Sequence, residues 1–149
     1  MKIGFREVNI NPTFPVNRMK RPDKKNMAVH DDLHCRILCI EEEGKKPWYH
    51  FSIDTVEIWR YFVERMHREC EEVLGREIDL VVSATHTHNA CCCTTDGDYR
   101  DFLMQRIREE IPLLEMKEFN KVEYSYSYRY YNKMGDSREA NMKHKVVQL

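Results

Sequence analysis

The chain has 149 residues, a length that suits one domain and leaves room for a real hydrophobic core. Hydrophobic residues make up 42% and charged residues 33%, a balance that fits a water-soluble globular protein and excludes a disordered one. Lys and Arg number 24 against 25 Asp and Glu, for a net charge of −1 with the signs interspersed, so no nucleic-acid footprint is expected. The one basic stretch, residues 18–25, also holds Pro22 and Asp23 and reads as a solvated loop. No segment reaches the ~18 apolar residues of a membrane span. Arg6 and Glu7 interrupt what would have to be the apolar core of a signal peptide, so a cytoplasmic location is expected. Cys91, Cys92 and Cys93 are adjacent, and Cys35 and Cys39 share one strand-like run. Neither spacing is a disulfide framework, so reduced thiols are expected.

Residues 2–10 place Ile3, Phe5, Val8 and Ile10 in near alternation, which predicts a strand stopped by Pro12 and Pro15. Residues 17–29 are polar, basic and loop-like. A second strand is predicted over residues 33–41, a turn over 42–46, and a third strand over 48–54, which together make an antiparallel pair. The period then changes. Ile58, Trp59, Phe62, Val63, Met66, Cys70, Val73 and Leu74 fall three or four apart, one face of an amphipathic helix with Trp59 in the core and Gly75 as its stop. Residues 77–84 are apolar on both sides, as for a strand covered on both faces. A second helix is predicted over residues 98–114, with Pro112 ending or kinking it. Residues 121–131 alternate and carry Tyr124, Tyr126, Tyr128 and Tyr130, which predicts a last strand packing on a helix or a partner. The order β-β-β-α-β-α-β predicts an α/β fold, a mixed β-sheet with helices packed on it.

The chemistry gathers at predicted strand ends, where α/β sheets place their ligands. Asp54 ends the third strand, His86 and His88 follow the fourth, and His30 and Asp31 precede the second. Two histidines at i and i+2 point the same way on extended backbone, and neutral imidazole ligates Zn²⁺, with a carboxylate such as Asp54 able to ligate or to orient a ring. Ordinary loop histidines share this spacing. The three cysteines suggest a His/Cys zinc site, but neighbouring side chains on extended backbone point apart. A tightly packed turn using Cys as a small hydrophobe is the preferred reading.

Four stretches in order resemble the amino-terminal part of the neutral/alkaline (non-lysosomal) ceramidase family and its bacterial relatives. They are Gly4-Phe5-Arg6-Glu7-Val8-Asn9-Ile10-Asn11-Pro12, then Val29-His30-Asp31-Asp32-Leu33-His34-Cys35-Arg36, then Phe51-Ser52-Ile53-Asp54. The fourth and strongest is Val82-Ser83-Ala84-Thr85-His86-Thr87-His88-Asn89. The resemblance implies a zinc-dependent amidase in which water activated by the ion attacks an amide carbonyl. It implies His86 as a zinc ligand and His88 and Asp54 as catalytic residues, with His88 in the substrate pocket and Asp54 in the pocket or orienting a ligand. His30 is implied as a substrate-binding candidate. Where the family continues Ser-Gly-Pro, this chain has Asn89-Ala90-Cys91, which changes the pocket wall; an amide other than ceramide is expected because nothing reads as a lipid-binding groove or membrane-facing helix.

The family's remaining zinc ligands, a His, a Glu and a Tyr, would fall beyond residue 149. The chain is therefore expected to correspond to the amino-terminal lobe of a larger enzyme, with a partner chain or a homo-oligomer completing the site around a small-molecule or lipid-like amide. Two other readings stand beside this one. One is a non-catalytic α/β binding or assembly domain that keeps the scaffold. The other is a small metal-binding protein that uses His86, His88 and a cysteine.

Overall fold

In the computed structural model, residues 1–18, 21–26, 28–123 and 125–127 are described. The amino-terminal alternation forms β1 (Lys2–Asn9), which pairs antiparallel with β4 (His34–Glu41), Phe5 opposite Leu38 and Val8 opposite Cys35. A tight turn with Gly44 at φ 76°, closed by Lys45 N–H donating to the Glu42 carbonyl at 3.2 Å, carries β4 into β5 (Trp48–Ile53). Only glycine takes that left-handed geometry without cost. The predicted antiparallel pair is present, with Ile37 opposite Phe51.

Next comes α1 (Arg60–Leu74), ended by Gly75 at φ 64° with its N–H on the Glu71 carbonyl. This helix is the crossover that a parallel pairing requires, and β6 (Asp79–Ala84) runs parallel to β5. Asp96 caps α2 (Gly97–Glu110) by accepting from the Tyr99 N–H at 3.0 Å. A 3₁₀ turn over Ile111–Leu113 carries Pro112 where the helix was expected to stop. The fold is α/β, a mixed sheet in the order β6-β5-β4-β1-β7 with both helices packed on it. Among the described residues no helix is long and apolar enough to cross a membrane.

The core fills the space between the helices and one sheet face. Phe62, Met66 and Cys70 of α1 and Tyr99, Leu103, Met104 and Ile107 of α2 join Cys35, Ile37, Cys39, Tyr49, Phe51 and Ile53 in one cluster. The other face of the sheet presents Phe5, 61% exposed, and Val81, 46% exposed.

Four expectations need correction. Residues 77–84 are not a strand covered on both faces: β6 is an edge strand and both helices lie on one side, so Val81 meets solvent. Trp59 is not core, because the helix begins after it. As the N-cap residue it is 48% exposed, edge-on to Tyr61 at 5.8 Å between ring centroids. Residues 17–29 hold a short hairpin, β2 (Val16–Arg18) with β3 (Arg21–Asn26), which backbone pairing builds without an apolar pattern. The described part of residues 121–131 is not a strand, and Tyr124 and Tyr128 to Tyr131 lie outside the described residues. The edge of the sheet beside β1 is instead β7 (Met116–Glu118).

That edge rests on Gly4, opposite Met116. A Cβ at Gly4 would stand 2.5 Å from Met116 Sδ and 3.2 Å from the Glu115 carbonyl. The thioether can swing aside and the backbone oxygen cannot, so Gly4→Ala should cost about 1–2 kcal/mol through overpacking. Hydrogen exchange should show the loss first in β7; unchanged protection there would refute the contact.

Candidate functional site

The carboxyl ends of the parallel pair β5 and β6 open into two loops, residues 54–59 and 85–96, and these loops hold each other. Thr85 N–H donates to the Ile53 carbonyl at 3.0 Å. Thr55, fully buried, donates its hydroxyl to the Cys91 carbonyl at 3.1 Å. The Cys93 thiol donates to the Glu57 carbonyl at 3.4 Å, and the Thr94 hydroxyl donates to Glu57 Oε1 at 3.1 Å. Asp96 is the far anchor, taking the Asn17 N–H at 2.7 Å on the oxygen that does not cap α2.

On this frame His86 adopts φ 60°, the one positive φ among the described non-glycine residues. Left-handed backbone in a residue with a Cβ costs about 1–2 kcal/mol and persists only where the surroundings hold it. Here the holding group is the Val56 carbonyl, 2.7 Å from His86 Nδ1. Nδ1 must carry the proton to donate to a carbonyl, so the neutral ring turns the lone pair of Nε2 outward. His88 Nε2 lies 3.4 Å from that Nε2, with the rings nearly perpendicular at 84° and their centroids 5.0 Å apart. Both imidazoles are exposed. The two histidines do converge, though not on the extended backbone that the spacing argument assumes, since His86 is left-handed.

Beside them runs a cleft of about 950 Å³. Phe14, His30, Leu33, Asp54, Thr87 and Asn89 are among the residues that line it. Asp54 lines the cleft and is tied to the strands through its carboxylate. Its carboxylate accepts from the His34 N–H at 2.9 Å and from Arg36 at 3.3 Å, and Arg36 also reaches Glu7 at 2.9 Å. His30 is at the open rim, its Nδ1 2.9 Å from Asp31, and the hydrogen bond and charge of that carboxylate hold the imidazole above its ordinary pKa. His30 and Asp54 share the cleft, while His86 and His88 meet each other next to it.

Cys91 lines the cleft, but among the described residues no cysteine joins the imidazole pair in a metal-holding group. All six are free and buried. Burial pushes the Cys91 and Cys93 thiols up to about 11, so they are neutral at physiological pH. They pack the loop as small hydrophobes. Among the described residues, no group of three His, Cys, Asp or Glu side chains is placed to hold one metal ion. The His/Cys combination is thus not assembled there.

Sequence reasoning missed Thr55 and the Val56 carbonyl. A backbone oxygen has no signature in a sequence, and Thr55 reads as the residue after a strand rather than as a tie between two loops. Asp54→Ala should leave the His34 N–H without its acceptor and cost about 2 kcal/mol, mostly from that lost bond, since the Arg36 pair is half-exposed. Urea denaturation would read it, and a loss under ~0.5 kcal/mol would show that water replaces the carboxylate.

No protein-family model, no curated protein and no solved structure matches this chain.

Proposed function

We propose that this chain is a zinc-dependent amide hydrolase of the neutral ceramidase-like kind, or part of one. His86 and His88 would be imidazole ligands, and a partner chain or further copy would complete the site. One observation carries the reading: two exposed Nε2 atoms 3.4 Å apart, one fixed as a lone-pair donor by the Val56 carbonyl. Nitrogens at ~2.05 Å from a tetrahedral zinc stand ~3.3 Å apart, so the pair fits one edge of such a site. A ring whose other nitrogen donates to a carbonyl is the usual form of a ligating histidine. Zinc held there supplies Lewis acidity, polarising a carbonyl and acidifying water.

The chain's own residues account for the rest. His88 is the second ligand, or holds a proton at Nε2 next to the reacting group. The cleft takes a small-molecule or lipid-like amide, its wall kept in place by the Asp54 contacts with Arg36 and His34, and its rim polar at His30. Six free thiols agree with a cytoplasmic setting. Neither a nucleic acid nor a membrane span enters this reading. A non-catalytic binding or assembly domain is the second reading, favoured by the open sheet face with Phe5 and Val81.

The test is zinc content by elemental analysis of untagged protein, alongside His86→Ala. Zinc present in the first and lost in the second is the expected result. No zinc in either would overturn the hydrolase reading for this chain.

A further inference from the structure

The imidazole pair would supply half of a tetrahedral coordination sphere, and its setting indicates what could supply the other half. Both rings are exposed, and Thr85 and Asn89 on either side of them are exposed as well, so nothing described caps the pair. The two nitrogens span one tetrahedral edge. A tetrahedron has an opposite edge at right angles to the first, and two of its three two-fold axes exchange those edges. A second His86–His88 pair, brought by a two-fold rotation, therefore completes the polyhedron without any new kind of ligand. Closed two-fold pairing is also the commonest symmetry of protein assemblies.

We propose that zinc joins two copies of this chain through four imidazoles, His86 and His88 from each. The proposal rests on zinc binding by this pair, as in the function proposed above, and not on amide hydrolysis. Four protein ligands close the sphere. In the joined form zinc holds the copies together and has no position for an amide, so hydrolysis would need a different partner chain in place of the second copy. Ligation by both Nε2 atoms requires each neutral ring to carry its proton on Nδ1, as the Val56 carbonyl already requires of His86.

The experiment is light scattering and metal analysis on untagged protein, first stripped with a chelator and then titrated with Zn²⁺ alone. Doubling of the 18.0 kDa mass at one zinc per two chains is expected, reversed by the chelator. His88→Ala and His86→Gly should both abolish it, the glycine variant serving because it suits the left-handed backbone and should stay folded. Zinc bound at one per chain with no change of mass would overturn the joined form and leave the zinc reading standing. A dimer indifferent to the chelator would overturn it as well. No zinc uptake would overturn both.

Discussion

Glycine in place of His86 should abolish zinc binding and yet give a protein more stable than His86→Ala by about 1 kcal/mol. Both substitutions remove the imidazole and its bond to the Val56 carbonyl, so they lose the same ligand and the same tether. They differ only in backbone. At φ 60° an alanine Cβ crowds the neighbouring carbonyl, whereas glycine occupies that region freely. Paired urea titrations measure the difference, and zinc analysis of the same samples measures the ligand. Equal stability of the two variants would show that residue 86 leaves the left-handed region once the imidazole is gone, and that the ring, not the loop, imposes the geometry. Strain kept at one exposed histidine, opposite a carbonyl that fixes its tautomer, is the pattern expected where the backbone is held for a ligand's sake.

Phe51→Ala should cost about 3–5 kcal/mol. Phe51 is fully buried in β5, lies between Ile37 and Val82 across the sheet, and stacks with Tyr49 at 6.3 Å between ring centroids. Removing the ring loses its transfer free energy and leaves a cavity that strands on both sides keep from collapsing. A domain of this size has about 5–15 kcal/mol in all, so the variant should melt far below the parent in differential scanning calorimetry. A loss near 1 kcal/mol would mean that the core between sheet and helices is not packed as described.

Much of the architecture was legible because it follows from short-range rules. Alternation at Cys35, Ile37 and Cys39 marks a strand with one buried face, and all three are buried. Phe62, Met66 and Cys70 recur at helical spacing and face the sheet, and Gly75 ends the helix as glycine does. The site was legible in part. Histidines two apart on extended backbone were expected to face the same way; their Nε2 atoms are 3.4 Å apart, but through a left-handed His86 that no local pattern marks. The grip of Val56 on His86 was not legible, because it joins a backbone oxygen to a ring 30 residues away.

The sequence by itself determined β1, β4, β5, β6 and both helices, the glycine and proline stops, and which residue types sit at the strand ends, but not the hairpin of β2 and β3 or the edge strand β7. These depend on side-chain period, on the missing donor of proline and on the freedom of glycine, all of which act within a few residues. Only the tertiary structure decided the position of each element in the sheet. An apolar run such as residues 79–84 suits a central strand or an edge strand equally well, and the choice depends on where both helices pack. They pack on one face, which leaves Val81 and Phe5 in solvent. That same arrangement places the loop after β5 beside the loop after β6, so that a carbonyl from one sets the lone pair of a histidine on the other. Local patterns specify elements, and the contacts that aim a functional group are formed between elements distant in the chain.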